Sequence, residues 1–299
     1  MSPVLVGTAS WTDKTLLESG WYPPEATTPE ERLKFYASRF PVVEVDSTYY
    51  GLPSERNAVL WVERTPKNFT FDVKAFSLMT GHPVLVRGLP KAVKESLPKD
   101  AGPRISADKI PPDAAGELWE MFRRALMPLH SAGKLGVVMF QYPQWFFPGR
   151  DSREKILEAR DRLGDYRIAV EFRQASWFKD TDATRKTLDF LRAEDIPFVC
   201  VDMPQGFGTS VPPIAEATSG RFALVRFHGR RSETWTKKDI HPTERFRYDY
   251  SDRELGEWVP RVRALGEQAR ETHALFNNCY RDYATRNAAT FADLIEAEE

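Results

Sequence analysis

Eight short runs of apolar, β-branched and aromatic residues recur along the chain. They lie at 4–11 (VLVGTASW), 42–50 (VVEVDSTYY), 69–76 (FTFDVKAF), 135–143 (LGVVMFQYP), 167–173 (RIAVEFR), 198–204 (FVCVDMP), 222–229 (FALVRFHG) and 273–280 (HALFNNCY). Runs of this length and make-up predict strands. Their nearly continuous apolar character predicts burial on both faces, as in a parallel sheet covered by helices. Most are separated by stretches with the i, i+3, i+4, i+7 spacing of an amphipathic helix, such as Leu33, Tyr36, Ala37, Phe40 and Leu255, Trp258, Val259, Val262. Leu118, Phe122, Ala125, Leu129 and Ala284, Ala288, Phe291, Ile295 keep one face in the same way. Thr28-Pro29-Glu30-Glu31 and the Ser251/Glu254 pair are capping boxes that place helix starts.

Eight alternations of this kind predict a (β/α)8 TIM-type barrel, a fold that commonly needs about 250 residues. The chain has 299, so one domain over 1–299 is expected. An open doubly wound sheet is the rival, but it calls for a phosphate-binding glycine fingerprint after the first strand. Gly7-Thr8-Ala9-Ser10-Trp11 is no such fingerprint, and Gly206-Phe207-Gly208 lacks the third glycine. Three long excursions, 77–112, 203–221 and 229–250, are expected as rim loops over the carboxyl ends of the strands.

Those ends carry the chemistry of a barrel, and here they turn polar. Alternation along a strand puts Glu44, Asp46 and Thr48 on one face. Asp72 with Lys74, Glu171 with Arg173, and Arg226 with His228 share faces in the same way. Gln141 and Tyr142, Asp202, and Asn277, Asn278 and Tyr280 close three further strands. A single buried ion pair is ordinary. A ring of charges gathered at one mouth is hard to explain by packing, because desolvating each costs several kcal/mol. The expected catalytic groups are Glu44 and Glu171 as an acid/base pair, Lys74 as modulator or nucleophile, and His228. Arg173 and Arg226 are expected to bind negative charge and Asn277 and Asn278 to orient hydroxyls. Asp46, Tyr49, Gln141, Trp177 and Asp202 complete the expected binding set. For each residue the plain alternative is a structural ion pair or packed ring. Aromatics such as Trp11, Tyr50, Trp145, Phe146, Phe147 and Trp235 crowd the same rim, where flat faces suit sugars or bases.

Composition narrows the ligand. Net charge is −1, which gives the whole chain no attraction to nucleic acid. The charge is uneven, however: 77–112 and 229–250 together carry +5. Cations on loops over the mouth predict an anionic small molecule, with nucleic acid as the alternative partner. Of five histidines only His228 falls clearly at a strand end, so no zinc cluster and no cofactor are expected. A single Mg or Mn ion on Glu44, Asp46, Glu171 or Asp202 is the remaining metal reading. No apolar run reaches the roughly 18 residues of a membrane span. The start lacks a signal-peptide pattern, and Cys200 and Cys279 read as buried, reduced thiols, so a cytoplasmic protein is expected.

The motifs GTASW, WYPPE, VEVDSTYYGLPS, TPKNFTFDVKA, VEFRQASW and FNNCYRDYATRNA resemble the YecE-like proteins, the "domain of unknown function 72" group. They run from residue 7 to residue 288, nearly the whole chain. The resemblance implies a TIM barrel of undetermined activity, comparable with isomerase-like and endonuclease-like barrels, and marks Glu44, Lys74, Glu171, Arg173, Asn277 and Asn278 as motif positions. The family often has histidine after the paired asparagines, where this chain has Cys279. Hydrolase- or isomerase-like acid/base chemistry on a polar, anionic sugar or nucleotide derivative is the leading expectation, and an endonuclease-type barrel the alternative.

Overall fold

Each of the eight apolar runs contains a strand in the computed structural model, which describes residues 2–297. The strands are β1 (Val4–Ala9), β2 (Val42–Val45), β3 (Thr70–Lys74), β4 (Leu135–Gln141), β5 (Ile168–Glu171), β6 (Val199–Asp202), β7 (Ala223–Phe227) and β8 (Thr272–Phe276). All pair in parallel, in the order β5-β4-β3-β2-β1-β8-β7-β6. The ring closes where Val170 of β5 bridges Phe198 and donates to the Pro197 carbonyl at 2.9 Å. This is the (β/α)8 architecture expected from the alternation.

Among the described residues seven longer helices surround it: α1 (Pro29–Ala37), α2 (Glu55–Glu63), α3 (Pro112–Ser131), α4 (Arg150–Leu163), α5 (Thr181–Ala193), α6 (Val259–Gln268) and α7 (Tyr283–Ala297). The Thr28/Glu31 box opens α1, and the Ser251/Glu254 box opens a one-turn helix, Asp252–Gly256, before α6. Among the described residues no helix joins β6 to β7. Residues 203–221 make that crossover as irregular chain, so they are more than rim. Gly208 meets Ala175 near the mouth, whereas Thr218 bonds the Phe198 amide and the Ile196 carbonyl at the foot of β6. Residues 77–112 fold into a small cap with a two-stranded ribbon, Val84–Leu85 against Arg104–Ile105, and a short helix, Lys91–Ser96.

Register decides which side chains enter the barrel. Gly7 pairs with Val42 so closely that a Cβ would sit 2.0 Å from the Val42 carbonyl oxygen. Ala9 then pairs with Glu44, Glu44 with Asp72, and Leu275 with Arg226. Val201 is the partner of Arg226, so Val199 and Val201 point inward and Cys200 and Asp202 point outward. Deep in the barrel His273 lies between Asp72 at 2.6 Å and Glu271 at 2.7 Å. Burial works against its charge, but the two carboxylates outweigh it and raise the imidazole to about 9.

Candidate functional site

Arg226 is the centre of the inner cluster. Its Nε and one terminal nitrogen donate to the two Glu44 oxygens at 2.8 and 2.7 Å, and the other terminal nitrogen donates to Glu171 at 2.5 Å. None of the three side chains is exposed. The other Glu171 oxygen accepts from Gln141 Nε2 at 2.7 Å, Arg173 at 3.1 Å and His228 Nε2 at 3.1 Å. Burial disfavours the Glu171 charge, but Arg226 and His228 reverse that and hold the carboxyl well below its ordinary range. Three donors crowd one oxygen and Arg226 holds the other, so this fully buried carboxylate orients its partners.

The same network assigns the His228 tautomer. Burial lowers this imidazole to about 4, so the ring is neutral at pH 7. Nε2 lies 3.1 Å from a carboxylate that can only accept and 3.3 Å from Arg173, which can only donate; the shorter contact to Glu171 favours the proton on Nε2. Nδ1 is then bare and accepts from Asn277 Nδ2 at 2.9 Å. Arg173, whose guanidinium lies 4.7 Å over the Trp235 ring, completes this side.

On the β2–β3 side, Lys74 Nζ lies 3.2 Å from Asp46 and 4.7 Å over the Tyr49 ring. Burial raises Glu44 well above the ordinary carboxyl range against the pull of Arg226, with Asp46 adding to the rise. For Asp46 itself, burial is overcome by Lys74 and Arg226, which draw it down. Thr48 Oγ1 contacts the Val45 and Lys74 carbonyls at 2.8 and 2.5 Å, tying the two strand ends together.

Above this floor lies a cleft of about 360 Å³. Arg173, Lys237, Lys238 and Arg245 line it together with His82, Gln141, Trp145 and Trp235, and among the described residues no acidic one does. Burial lowers the Arg173 guanidinium against the pull of Glu171, and the nearby charges of Arg226 and Arg245 add to that lowering.

His82 is the member that strand periodicity did not single out, because it sits in the 77–112 excursion. Thr80 Oγ1 donates to the Ser77 carbonyl at 2.9 Å and lies 2.8 Å from His82 Nδ1. A hydroxyl that donates to the Ser77 carbonyl accepts from Nδ1–H, the arrangement in which Nε2 keeps its lone pair. Burial, with Lys74 and Arg173 nearby, lowers His82 to about 4 and keeps it neutral. Its ring stands edge-on between Tyr49 and Trp145.

Glu44, Glu171, Arg226, His228, Arg173, Gln141 and Asn277 thus form one network, with Asp46, Lys74 and Tyr49 beside it. Three expected members lie elsewhere. Trp177 is fully buried, donates to the Phe146 carbonyl at 2.6 Å and packs on Phe172. Asp202 points outward and accepts from Arg230, from Tyr250 at 2.7 Å and from Trp258 at 2.6 Å. Asn278 also points outward and donates to the Tyr248 carbonyl at 2.8 Å and Asn287 at 2.7 Å. Both anchor the 229–250 excursion from behind. That excursion delivers three cations to the cleft, whereas the cations of 77–112 do not line it. Cys279 is free and half-buried, its thiol 3.4 Å from the Ala9 carbonyl, and Cys200 is free and buried.

Among the described residues no group of three or more His, Cys, Asp or Glu is placed to hold a metal ion. Of the four carboxylates considered for a Mg or Mn ion, Glu44 and Glu171 share the Arg226 guanidinium, Asp46 pairs with Lys74, and Asp202 faces the helices. Nor is any described helix long and apolar enough to cross a membrane.

The model of the family described as "Protein of unknown function DUF72" matches residues 5–299. The chain belongs to the DUF72 family. It is 33% identical over 299 residues to the UPF0759 protein YunF of Bacillus subtilis (strain 168), covering 99% of this chain and 95% of that one. A solved DUF72 family protein of Thermotoga maritima MSB8 is 32% identical with a TM-score of 0.76, covering 98% and 99% of the two chains. A DUF72 family protein of Enterococcus faecalis V583, 24% identical, superposes with a TM-score of 0.79 over 98% of this chain and 96% of the other. As a DUF72 member the chain takes the family's barrel, and its chemistry has to be argued from its own cleft.

Proposed function

We propose that this DUF72 protein is an enzyme that holds a small, polar, anionic molecule in the mouth cleft and moves a proton on it with His82. The carrying observation is that Arg173 and Arg245 share the cleft with Lys237 and Lys238 and, among the described residues, with no acidic lining residue. Like charges gathered around one recess favour an anion between them. Phosphate or carboxylate matches the planar donors of arginine.

The proton-transfer role moves from the Glu44/Glu171 pair to His82. Both carboxyls are fully buried under Arg226, whereas His82 Nε2 is an unprotonated acceptor on a residue that lines the cleft. A neutral imidazole removes a proton from water or from carbon, which gives hydrolase or isomerase chemistry respectively. Lys74 and Asp46, at the ends of neighbouring strands, are the groups that balance charge as it develops. Sugar phosphates and nucleotides are the substrate class, with Trp145 and Trp235 as flat walls.

Calorimetric titration with inorganic phosphate, a panel of sugar phosphates and nucleotides tests the reading. Saturable binding that Arg173→Met abolishes supports it, and turnover of the bound compound should fall about 100-fold or more in His82→Gln with binding retained. Binding unaffected by Arg173→Met removes it. Single-stranded nucleic acid is a second reading, favoured by Trp145, 51% exposed beside the lysines. It predicts retention of oligonucleotides at low salt with a steep salt dependence, which a single small anion does not show.

A further inference from the structure

Two lysines are buried among the described residues, and their ammonium groups are served differently. Lys134, just before β4, is 4% exposed, and its Nζ donates to the Val62 carbonyl at 2.9 Å and to the Thr65 carbonyl and Oγ1 at 2.8 Å each. Every donor of that ammonium is used, as a structural lysine requires. Lys74, at the end of β3, is 9% exposed, and the carboxylate beside its Nζ among the described residues is Asp46, with Oδ1 at 3.2 Å. That contact is an ion pair without hydrogen-bond alignment, since Asp46 Oδ1 is sealed from solvent and has no hydrogen bond. The Tyr49 ring, 4.7 Å from Nζ, offers a face to the charge but no oxygen lone pair. The Lys74 ammonium therefore keeps open donors on a side chain that is otherwise enclosed, an unfavourable state unless something else fills them.

Those donors lie on the mouth side. Asp72 and Lys74 share the inner face of β3, and Asp72 is bonded deep in the barrel to His273, so Lys74 stands two residues nearer the carboxyl end. Its side chain retains 11% exposure, whereas Asp46 Oδ1 next to it has none. Tyr49 touches both Lys74 and His82, whose ring centroid is 5.4 Å from its own, so Lys74 adjoins the cleft at the His82 end. Asp46 already balances the Lys74 charge, which suits the open donors to a neutral oxygen. The cleft cations, with no acid in their lining among the described residues, are the ones suited to an anion.

We propose that Lys74 is a substrate-contacting electrophile, its open N–H groups binding the carbonyl oxygen of a phosphorylated hydroxyketone or hydroxyaldehyde whose phosphate lies in the cleft. The assignment rests on the anion-cleft reading above and narrows it to isomerase chemistry. His82 Nε2 takes the proton from the hydroxyl-bearing carbon next to the carbonyl. The C–H electron pair becomes the C=C bond of an enediolate, and the carbonyl π pair moves onto the oxygen held by Lys74. The hydroxyl proton then passes to that oxygen, a new C=O bond forms where the hydroxyl was, and the C=C pair takes the proton back from His82 at the former carbonyl carbon. Carbonyl and hydroxyl have exchanged places, and no oxidant or reductant is needed.

The test compares dihydroxyacetone phosphate with propyl phosphate, which keeps the anion and lacks the ketone and hydroxyl oxygens, by calorimetric titration of the full chain. The parent should bind the ketone about tenfold more tightly. In Lys74→Met that preference should vanish, with the affinity for propyl phosphate unchanged. In heavy water the parent should exchange a hydroxymethyl hydrogen of the ketone for deuterium, read by ¹H NMR, about 100-fold faster than Lys74→Met. Lys74→Met combined with Asp46→Asn strands no carboxylate and gives the same readings should the single change fail to fold. Equal binding of the two esters by the parent, or a preference that survives in the variants, overturns the assignment and leaves the anion cleft standing. Exchange that is absent in the parent or undiminished in the variants overturns it too. Binding of neither ester overturns the anion cleft and the assignment together.

Discussion

Arg226 and Glu44 face each other across the barrel in a two-point pair, at 2.8 and 2.7 Å, with neither side chain exposed. Glu171 takes the remaining arm of the guanidinium, so one cation holds the acidic ends of β2 and β5 together. Arg226→Met leaves both carboxyls buried without their partner. A loss of about 3–5 kcal/mol in urea unfolding is expected. Arg226→Lys should recover only part of it, because an ammonium cannot pair with Glu44 at two points while reaching Glu171. A loss under about 1 kcal/mol for Arg226→Met would show that the cluster is not a coupled unit.

The two buried histidine environments give stability opposite dependences on pH. His273 is raised to about 9 in the folded chain, above its ordinary 6.5. Its contribution is fully present below about pH 6.5 and is lost as pH rises through 9. His228 is lowered to about 4, so its contribution is present above 6.5 and is lost as pH falls toward 4. Urea midpoints should decline from pH 7 to pH 9, and His273→Gln should flatten that decline. A parallel decline in the variant would remove His273 as its source.

His82 and His228 are expected in opposite tautomers. Thr80 fixes the Nδ1–H form of His82, and Glu171 fixes the Nε2–H form of His228. Long-range ¹H–¹⁵N correlation at pH 7 distinguishes the two directly. Thr80→Val should leave His82 as a tautomeric mixture and keep His228 unchanged. Matching spectra for the two rings would contradict the assignment.

Gly136 makes room for the pair deep in the barrel. A Cβ there would sit 2.2 Å from Asp72 Oδ1 and 2.8 Å from Thr70 Cγ2. Gly136→Ala should therefore cost about 3 kcal/mol, near the top of the usual overpacking range. Because the strain falls on Asp72, the variant should also lose part of the alkaline decline attributed to His273. Chemical denaturation at two pH values reads both effects.

Asp202 holds the cation-bearing excursion in place through Arg230, Tyr250 and Trp258. In Asp202→Asn, amide hydrogen exchange in 229–250 should accelerate well before global unfolding. Phosphate affinity in the cleft should fall although no cleft-lining residue has changed. Exchange that stays slow in this segment would mean the excursion is held by other contacts.

Strand and helix positions were legible because they depend on local periodicity. All eight apolar runs became strands, and both capping boxes formed, since caps are made by residues three apart. The convergence of Glu44, Glu171, Arg226 and His228 was legible too, because alternation applied to strands of known direction puts their ends at one mouth. Asp202 and Asn278 were misplaced by one step of that alternation: a strand-final polar residue faces either in or out, and only the pairing of Val201 with Arg226 tells which. Trp177 looked like a rim aromatic but is drawn into the row formed with Phe146 and Phe172.

The amino-acid sequence alone thus determined the barrel and the fact that charge collects at one end of it. Only the tertiary structure decided which of those charges neutralise one another under the floor and which remain for a ligand. His82, Lys237, Lys238 and Arg245 come from excursions without periodicity, and folding sets them around the same cleft as Arg173. The physical reason is range. Propensity, capping and alternation act over a few neighbouring residues, whereas a carboxylate's pairing and an imidazole's tautomer are set by groups that folding brings within 3 Å from as many as 201 positions away.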